Sequence, residues 1–240
     1  MVTEQRQAEN SRGGKFLRRP LKAVKWVARA FVAVFAIWMG LAATYSFVNP
    51  PTNIHEIYEF FRLGGIQREW VEFEDVPPHV HRTLVAAEDA NFCLHWGFDP
   101  EAIRKSIAQG GNVGVSTISQ QTAAATLLWP SESRSLRLPI TLATFGVEAF
   151  WSKRRILEVY MNMAEFGEGV FGIQAAAQEY FGLDAANLDM DHASRLAAVL
   201  IDPRNLDAND LSPGQARRTA VIADGALTIA LDGRATCFET

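Results

Sequence analysis

The sequence predicts a mainly α-helical protein in which one membrane-spanning helix precedes a helical body. Three observations predict it. The composition, 48% hydrophobic and 21% charged with 17 Gly and 10 Pro in 240 residues, is that of a globular chain. A 19-residue stretch near the N-terminus carries no charge. Beyond it, apolar residues recur at helical spacing in segment after segment. The composition excludes a disordered tail protein, a collagen-like repeat and a polytopic transporter. The length allows one large domain or two small ones.

Residues 1–29 form a basic arm, with eight Lys and Arg against two acids, Glu4 and Glu9. Residues 30–48 (AFVAVFAIWMGLAATYSFV) follow, and at about 1.5 Å per residue they reach roughly the thickness of a hydrocarbon core. A buried core helix fits this run poorly, because it lacks a polar face. A cleaved signal peptide usually has a shorter apolar region of about 7–15 residues and a sharper cleavage site than Ala42-Ala43-Thr44. A retained single-pass anchor is therefore expected. The cations before the span place the N-terminus in the cytoplasm and the rest on the periplasmic, outer face of the cytoplasmic (inner) membrane.

Residues 49–69 are a linker and membrane-proximal segment that opens with the stop Asn49-Pro50-Pro51-Thr52-Asn53; residues 54–76 read as a short helix, then an extended piece. Residues 70–231 form the main domain and 232–240 a tail. Pro77-Pro78 opens a helix that carries Val80, Leu84 and Ala87. A Gly-rich stretch lies around 109–114. Ser116–Leu128 reads helical and Pro130-Ser131 breaks it. After an apolar segment at 140–150, Ile156, Leu157, Tyr160 and Met161 mark a one-sided helix. Phe166–Gly172 is a glycine turn, Gln174–Phe181 a helix capped by Gly182, His192–Ile201 another, and Ser212-Pro213 opens the last, running to about Leu231.

Chemistry is scarcer. With the arm set aside, 15 basic and 25 acidic residues remain, so nucleic acid is not an expected partner. Cys93 and Cys237 cannot build a disulfide framework; one bridge stays open, but unpaired thiols are the preferred reading. No Cys/His spacing resembles a zinc site. His79 and His81 lack a third ligand and read as exposed histidines. Gly167–Gly172 matches G-x-G-x-x-G, but a helix and not a strand precedes it, so a tight turn is expected in place of a dinucleotide site. Ser116 is not in a nucleophile elbow. Glu88-Asp89 ends an apolar helix turn and is followed by Phe92, His95 and Trp96. A carboxylate buried beside aromatic rings has the raised pKa that proton transfer uses.

In order along the chain, four segments resemble the peptidoglycan glycosyltransferase family, that is, the glycosyltransferase domain of class A penicillin-binding proteins and their monofunctional relatives. Glu88, Asp89, Phe92, His95 and Gly97 match E-D-x-x-F-x-x-H-x-G. Gly114, Ser116, Thr117, Gln120 and Gln121 begin the second motif, and Lys153, Ile156, Leu157, Tyr160 and Asn162 complete K-x-x-I-L-x-x-Y-x-N. Ala164–Gly182 is similar to the monofunctional enzymes, and Arg217–Ile222 to R-x-x-x-V-L. The resemblance covers about residues 70–225.

The resemblance implies a lysozyme-like head lobe with a small membrane-dipping jaw lobe. It implies polymerisation of lipid II into β-1,4 glycan with inversion and loss of undecaprenyl pyrophosphate. Glu88 is the implied base with Asp89 beside it. His95, Ser116, Thr117, Gln120, Gln121, Arg134, Lys153 and Asn162 are the implied substrate-binding residues, and Tyr160, Ile156 and Leu157 are read as packing. No metal ligand is assigned, although the family allows Mg or Mn. The implied partners are lipid II, nascent glycan, the membrane and other wall-synthesis proteins; with no transpeptidase after residue 240, cross-linking is expected from another protein.

The second motif departs from the pattern: Ala124 and Ala125 stand where Lys-Asn is expected. The third is missing, with Ile140 at its glutamate and Glu132 at an upstream arginine. Losing one preorganised charged contact costs about 2.7–4 kcal/mol of transition-state stabilisation. Three readings follow. One is an active enzyme whose phosphate contacts come from Arg134, Arg137, Arg154 or Arg155. Another is a relative that binds lipid II or glycan as a scaffold without polymerising it. The third is a lytic enzyme with Glu88 as acid, against which the second and fourth motifs speak.

Overall fold

The computed structural model describes residues 2–108, 110, 116–127 and 137–239, with side chains from Val24 onward apart from Arg137. The chain divides into two units, Met1–Leu41 and Ala42–Thr240. The first is one helix, α1 (Val2–Tyr45), whose last turn belongs to the second unit. Its stretch Val24–Tyr45 has a mean hydropathy of 1.8 over 22 residues and is almost wholly exposed, long and apolar enough to cross a membrane.

The second unit is mainly α, as expected. It runs through α2 (Ile54–Leu63), β1 (Gln67–Arg68), α3 (Pro78–Glu88), a 3₁₀ turn at Phe92–Leu94, α4 (Pro100–Ala108), α5 (Ile118–Leu127), α6 (Arg137–Phe150) and α7 (Lys153–Met163). It continues with β2 (Glu165–Gly167), β3 (Val170–Phe171), α8 (Ile173–Phe181), α9 (Met190–Val199), α10 (Pro213–Asp232) and α11 (Thr236–Glu239). Local chemistry sets many of these ends. Asn53, Ser152, Asp189 and Ser212 cap α2, α7, α9 and α10 through side-chain oxygens, and Ser212 and Gln215 close a reciprocal capping box. Gly182 ends α8 in the left-handed region, as the sequence indicated.

Among the described residues three short strands lie in the order β1-β3-β2, with β1 parallel and β2 antiparallel to β3. The glycine run forms this hairpin, and no βαβ unit is built on it. Gly172 has φ +87°, and a Cβ there would sit 2.9 Å from the Asn162 carbonyl oxygen, so the hairpin closes on α7 only with glycine.

In the core, α5, α6, α8 and α11 pack on α7, while α3, α9 and α10 pack on one another. The one-sided reading of the α7 segment is corrected: every residue from Ile156 to Met163 is buried, because α5, α6, α8 and α11 enclose it. Ile156, Leu157 and Tyr160 are packing residues, as read.

Two further expectations are overturned. His79 and His81 are not exposed. His81 is 2% accessible and stacks on Phe73 at 3.7 Å, and burial, with Arg154 nearby, pushes its pKa down to about 3. His79 hydrogen-bonds the Leu188 carbonyl at 2.7 Å. Because α3 packs on both α9 and α10, its buried arc is wider than Val80, Leu84 and Ala87 alone suggest. The cysteines are not free thiols either: Cys93 and Cys237 form a disulfide across 144 residues. Gly233 ends α10 at φ +81° and turns the chain back, so α11, which the sequence did not announce, lands on the Phe92–Leu94 turn, with Phe238 6.3 Å from Phe92.

Candidate active site

Glu88 is the last residue of α3, and Asp89 caps the helix with extended φ. The two adjacent carboxylates have different surroundings. Asp89 is buried, with Oδ1 hydrogen-bonded to His95 Nε2 at 2.8 Å and Oδ2 accepting from the Ile118 N–H at 3.1 Å. It thereby ties the loop after α3 to the otherwise unpaired amides that open α5. Glu88 is half-buried and accepts from Gln121 Nε2 at 3.0 Å. Burial pushes its pKa above the usual carboxylate range; the Gln121 bond and the Arg218 charge pull against that rise, and Asp89 adds to it.

The start of α5 explains two more motif residues. Thr117 Oγ1 accepts from Gln120 N at 3.2 Å, and Gln120 Oε1 accepts from Thr117 N at 3.1 Å, a reciprocal capping box. Thr117 Oγ1 also donates to the Gly97 carbonyl at 2.6 Å and so fixes the end of the first motif. Thr117 and Gln120 thus hold the helix start in place. Gln121, one residue on, faces Glu88, and Ser116 is exposed at the entrance to the helix.

Lys153 and Asn162 also turn toward protein. Lys153 Nζ pairs with Glu148 Oε1 at 2.8 Å and lies 4.4 Å from the centre of the Phe92 ring. Ser119 Oγ donates to the same Glu148 oxygen. Asn162 Oδ1 accepts from Val71 N at 2.8 Å, while Nδ2 donates to the carbonyls of Val71 and Glu158 at 2.9 Å each. Tyr160 is buried, and burial, followed by the charges of Glu88 and Asp89, raises the pKa of its hydroxyl well above the ordinary value.

The cations considered as phosphate contacts divide differently from expectation. Gly114, Arg134 and the Arg137 side chain lie outside the described residues. Arg154 pairs with Glu74 and covers Phe73. Arg155 pairs with Glu158 at 2.7 Å and donates to the carbonyls of Tyr45 and Val48. Their partners lie in the chain segments at 45–48 and 73–74 and in α7 itself, and neither is among the charges that act on Glu88. Arg218 of α10 is the cation whose charge reaches Glu88. Its position inside the fifth motif was the available signal. Asp99, whose Oδ1 accepts from Glu101 and Ala102 N–H, was also missed, although Asp-Pro is a readable helix start. Glu148 had no signal beyond its nearness to Lys153. At the departures from the family pattern, Ala124 is buried in α5 and Ile140 is partly buried in α6.

Asp89, His95 and Asp99 hold ligand-type atoms within 4.8 Å of one another. The donor set does not fit a catalytic divalent cation. Both Asp89 oxygens are hydrogen-bonded, and both Asp99 oxygens accept N–H groups, from Glu101, Ala102 and Asn91. His95 Nδ1 alone is buried without a partner.

Comparison with known proteins gives this arrangement a family. The model described as "Transglycosylase" matches residues 55–226. A protein named biosynthetic peptidoglycan transglycosylase from Jannaschia sp. (strain CCS1) is 47% identical over 214 residues, 89% of this chain and 90% of that protein. Its namesake in Caulobacter vibrioides is 38% identical over 93% of this chain and 99% of its own length. Another in Xylella fastidiosa (strain 9a5c) is 44% identical over 70% of this chain and 74% of its own length. With the family model spanning most of the chain and the Jannaschia and Caulobacter similarities covering about nine tenths of it or more, the chain belongs to the transglycosylase family.

Proposed function

We propose that this protein is a peptidoglycan glycosyltransferase that polymerises lipid II, with Glu88 as general base. The observation that carries the reading is the placement of Glu88: half-buried, raised in pKa and held by Gln121 at the meeting of α3 and α5. A carboxylate so placed accepts the proton of a sugar 4-hydroxyl as that oxygen attacks the anomeric carbon of the lipid-linked donor. The C–O bond to pyrophosphate breaks with inversion, and undecaprenyl pyrophosphate leaves with the bonding electrons. Arg218 supplies positive charge beside the base, and Ser116 and Gln121 present the polar groups nearest the attacking sugar. Asp89, His95, Thr117, Gln120, Lys153 and Asn162 position this surface.

The apolar helix α1 keeps the protein at the membrane that holds the polyprenyl chain. The basic arm supports a cytoplasmic N-terminus, and the Cys93–Cys237 disulfide supports an oxidising, periplasmic setting for the second unit. Scaffolding without polymerisation is the second reading. It is favoured by Ala124, Ala125 and Ile140 and by the engagement of Arg154 and Arg155 elsewhere.

Purified protein incubated with labelled lipid II, with and without Mg or Mn, decides between them. Glycan polymer that vanishes in Glu88→Gln supports the first reading. Retention of lipid II without polymer supports the second.

A further inference from the structure

Helix α2 is built inside out. Its carboxylates point into the protein, where Glu56 and Glu59 are fully buried. Glu59 sits between Arg62 at 2.5 Å and Arg204 at 3.0 Å. Glu56 accepts from Thr52 Oγ1 at 2.8 Å and Asn53 Nδ2 at 3.0 Å, with Arg68 Nε at 3.5 Å. Its apolar side chains point outward: Ile54 is 53% exposed, Ile57 45% and Phe61 79%. These three recur at i, i+3 and i+7 and so share one face, and Phe60 meets Phe61 edge to face beside them. A helix on a water-facing surface shows the reverse pattern. Turning α2 over would strip two buried carboxylates of their partners, so the ion pairs lock the apolar face outward.

The chain leading into α2 says what covers that face. Trp151 Nε1 donates to the Ala42 carbonyl at 2.5 Å. Arg155 donates to the carbonyls of Tyr45 and Val48 at 3.1 and 3.0 Å, and Arg68 to that of Pro50 at 3.0 Å and to that of Pro51. The end of the apolar helix and the irregular segment after it are thus fastened within the unit that carries α2. Only Thr52 and Asn53 separate the last fastened carbonyl from the helix, and exposed Phe47 lies in the same stretch. The apolar face therefore begins a few residues after the chain leaves the bilayer.

We propose that the Ile54–Ile57–Phe61 face of α2 lies in the interfacial layer of the lipid bilayer, a second membrane contact beside the spanning helix. A helix with its apolar face sunk to the headgroup–acyl boundary has this composition. The contact sets the height of the second unit above the lipid, and it stands whether or not the protein polymerises glycan.

The two native cysteines are joined to each other, so one added cysteine is the sole target of a thiol probe. Full-length protein carrying Ile57→Cys, Phe61→Cys or Ile54→Cys, or Asn187→Cys as an exposed polar control, is labelled with the fluorophore NBD. Each is reconstituted into phosphatidylcholine–phosphatidylglycerol vesicles with or without lipids brominated high on the acyl chain. We expect blue-shifted emission and severalfold quenching by bromolipid at 54, 57 and 61, and neither at 187. Unquenched emission at the α2 positions overturns the proposal: red-shifted, it reports water; blue-shifted, it reports burial against a protein or a second copy. Equal quenching at 187 also overturns it, because the probe and not the face is then entering the lipid.

Discussion

Gln121 Nε2 donates to Glu88 Oε2 at 3.0 Å, joining the end of α3 to the first turn of α5 across 33 residues of sequence. The bond gives the carboxylate its direction. It also favours the ionised form that burial opposes. Removing it with Gln121→Ala leaves burial and the neighbouring Asp89 charge less opposed. We expect the acid limb of the pH–rate profile to move to higher pH and kcat/KM at neutral pH to fall roughly 10–100-fold, the range of a hydrogen bond to a charged group. A loss of rate with an unmoved acid limb would show that Gln121 acts on the substrate and not through Glu88.

Glu88→Gln should trade activity for stability. Loss of the base lowers kcat by about 10²–10⁴-fold. The sign of the stability effect follows from the direction of the shift. The folded protein holds the Glu88 proton more tightly than the unfolded chain does, whose ordinary value is near 4.5. The stabilisation from the neutral carboxyl is complete below that value and is lost as pH rises through the raised folded pKa. At neutral pH the native protein therefore carries an unfavourable buried charge that the amide lacks. We expect the variant to melt above the native protein at pH 7 and level with it in acid. Thermal unfolding at both pH values checks this.

The disulfide closes 144 residues into one covalent loop, with Cys93 inside the turn that separates Asp89 from His95. Replacing both cysteines by serine should cost about 2–5 kcal/mol of stability, chiefly by freeing the unfolded chain. Reductant should lower the melting temperature of the native protein toward that of the double variant and leave the variant unchanged. A native melting temperature insensitive to reductant would exclude the bridge as a stabilising element.

The local features were legible because their causes are local. Ser212-Pro213 opens α10, Pro77-Pro78 opens α3, and the glycine run at 167–172 makes a turn, each through backbone chemistry confined to a few residues. The Thr117–Gln120 capping box was equally readable, yet a motif resemblance drew both residues toward substrate. The pairing of Cys93 with Cys237 had no local signature, because the turn at Gly233 decides where α11 falls. The burial of His81 depends on Phe73, which stacks on it, and on Arg154 of α7, which lies over Phe73 from far along the chain. Charge partners were the least legible of all. Arg155 read as a phosphate contact and Lys153 as a substrate-binding residue, but Glu158 and Glu148 hold them, and nothing in the spacing distinguishes a carboxylate that faces inward from one that faces water.

Asn162 separates a positioning role from a binding one. Both polar atoms of its buried amide are hydrogen-bonded to the backbone of Val71 and Glu158, where they pin the segment before α3 to α7. Asn162→Ala leaves a buried N–H and two carbonyls without that partner, at a cost on the order of 3 kcal/mol. If the side chain also bound substrate, the variant would raise KM even well below its melting temperature. We expect the melting temperature to fall and KM for lipid II to stay unchanged at temperatures where the variant is folded, because no polar atom of Asn162 is left over to reach a ligand. Asn162→Asp keeps the acceptor for Val71 N–H but loses both donated bonds and adds a buried charge, so it should be no more stable than the alanine variant.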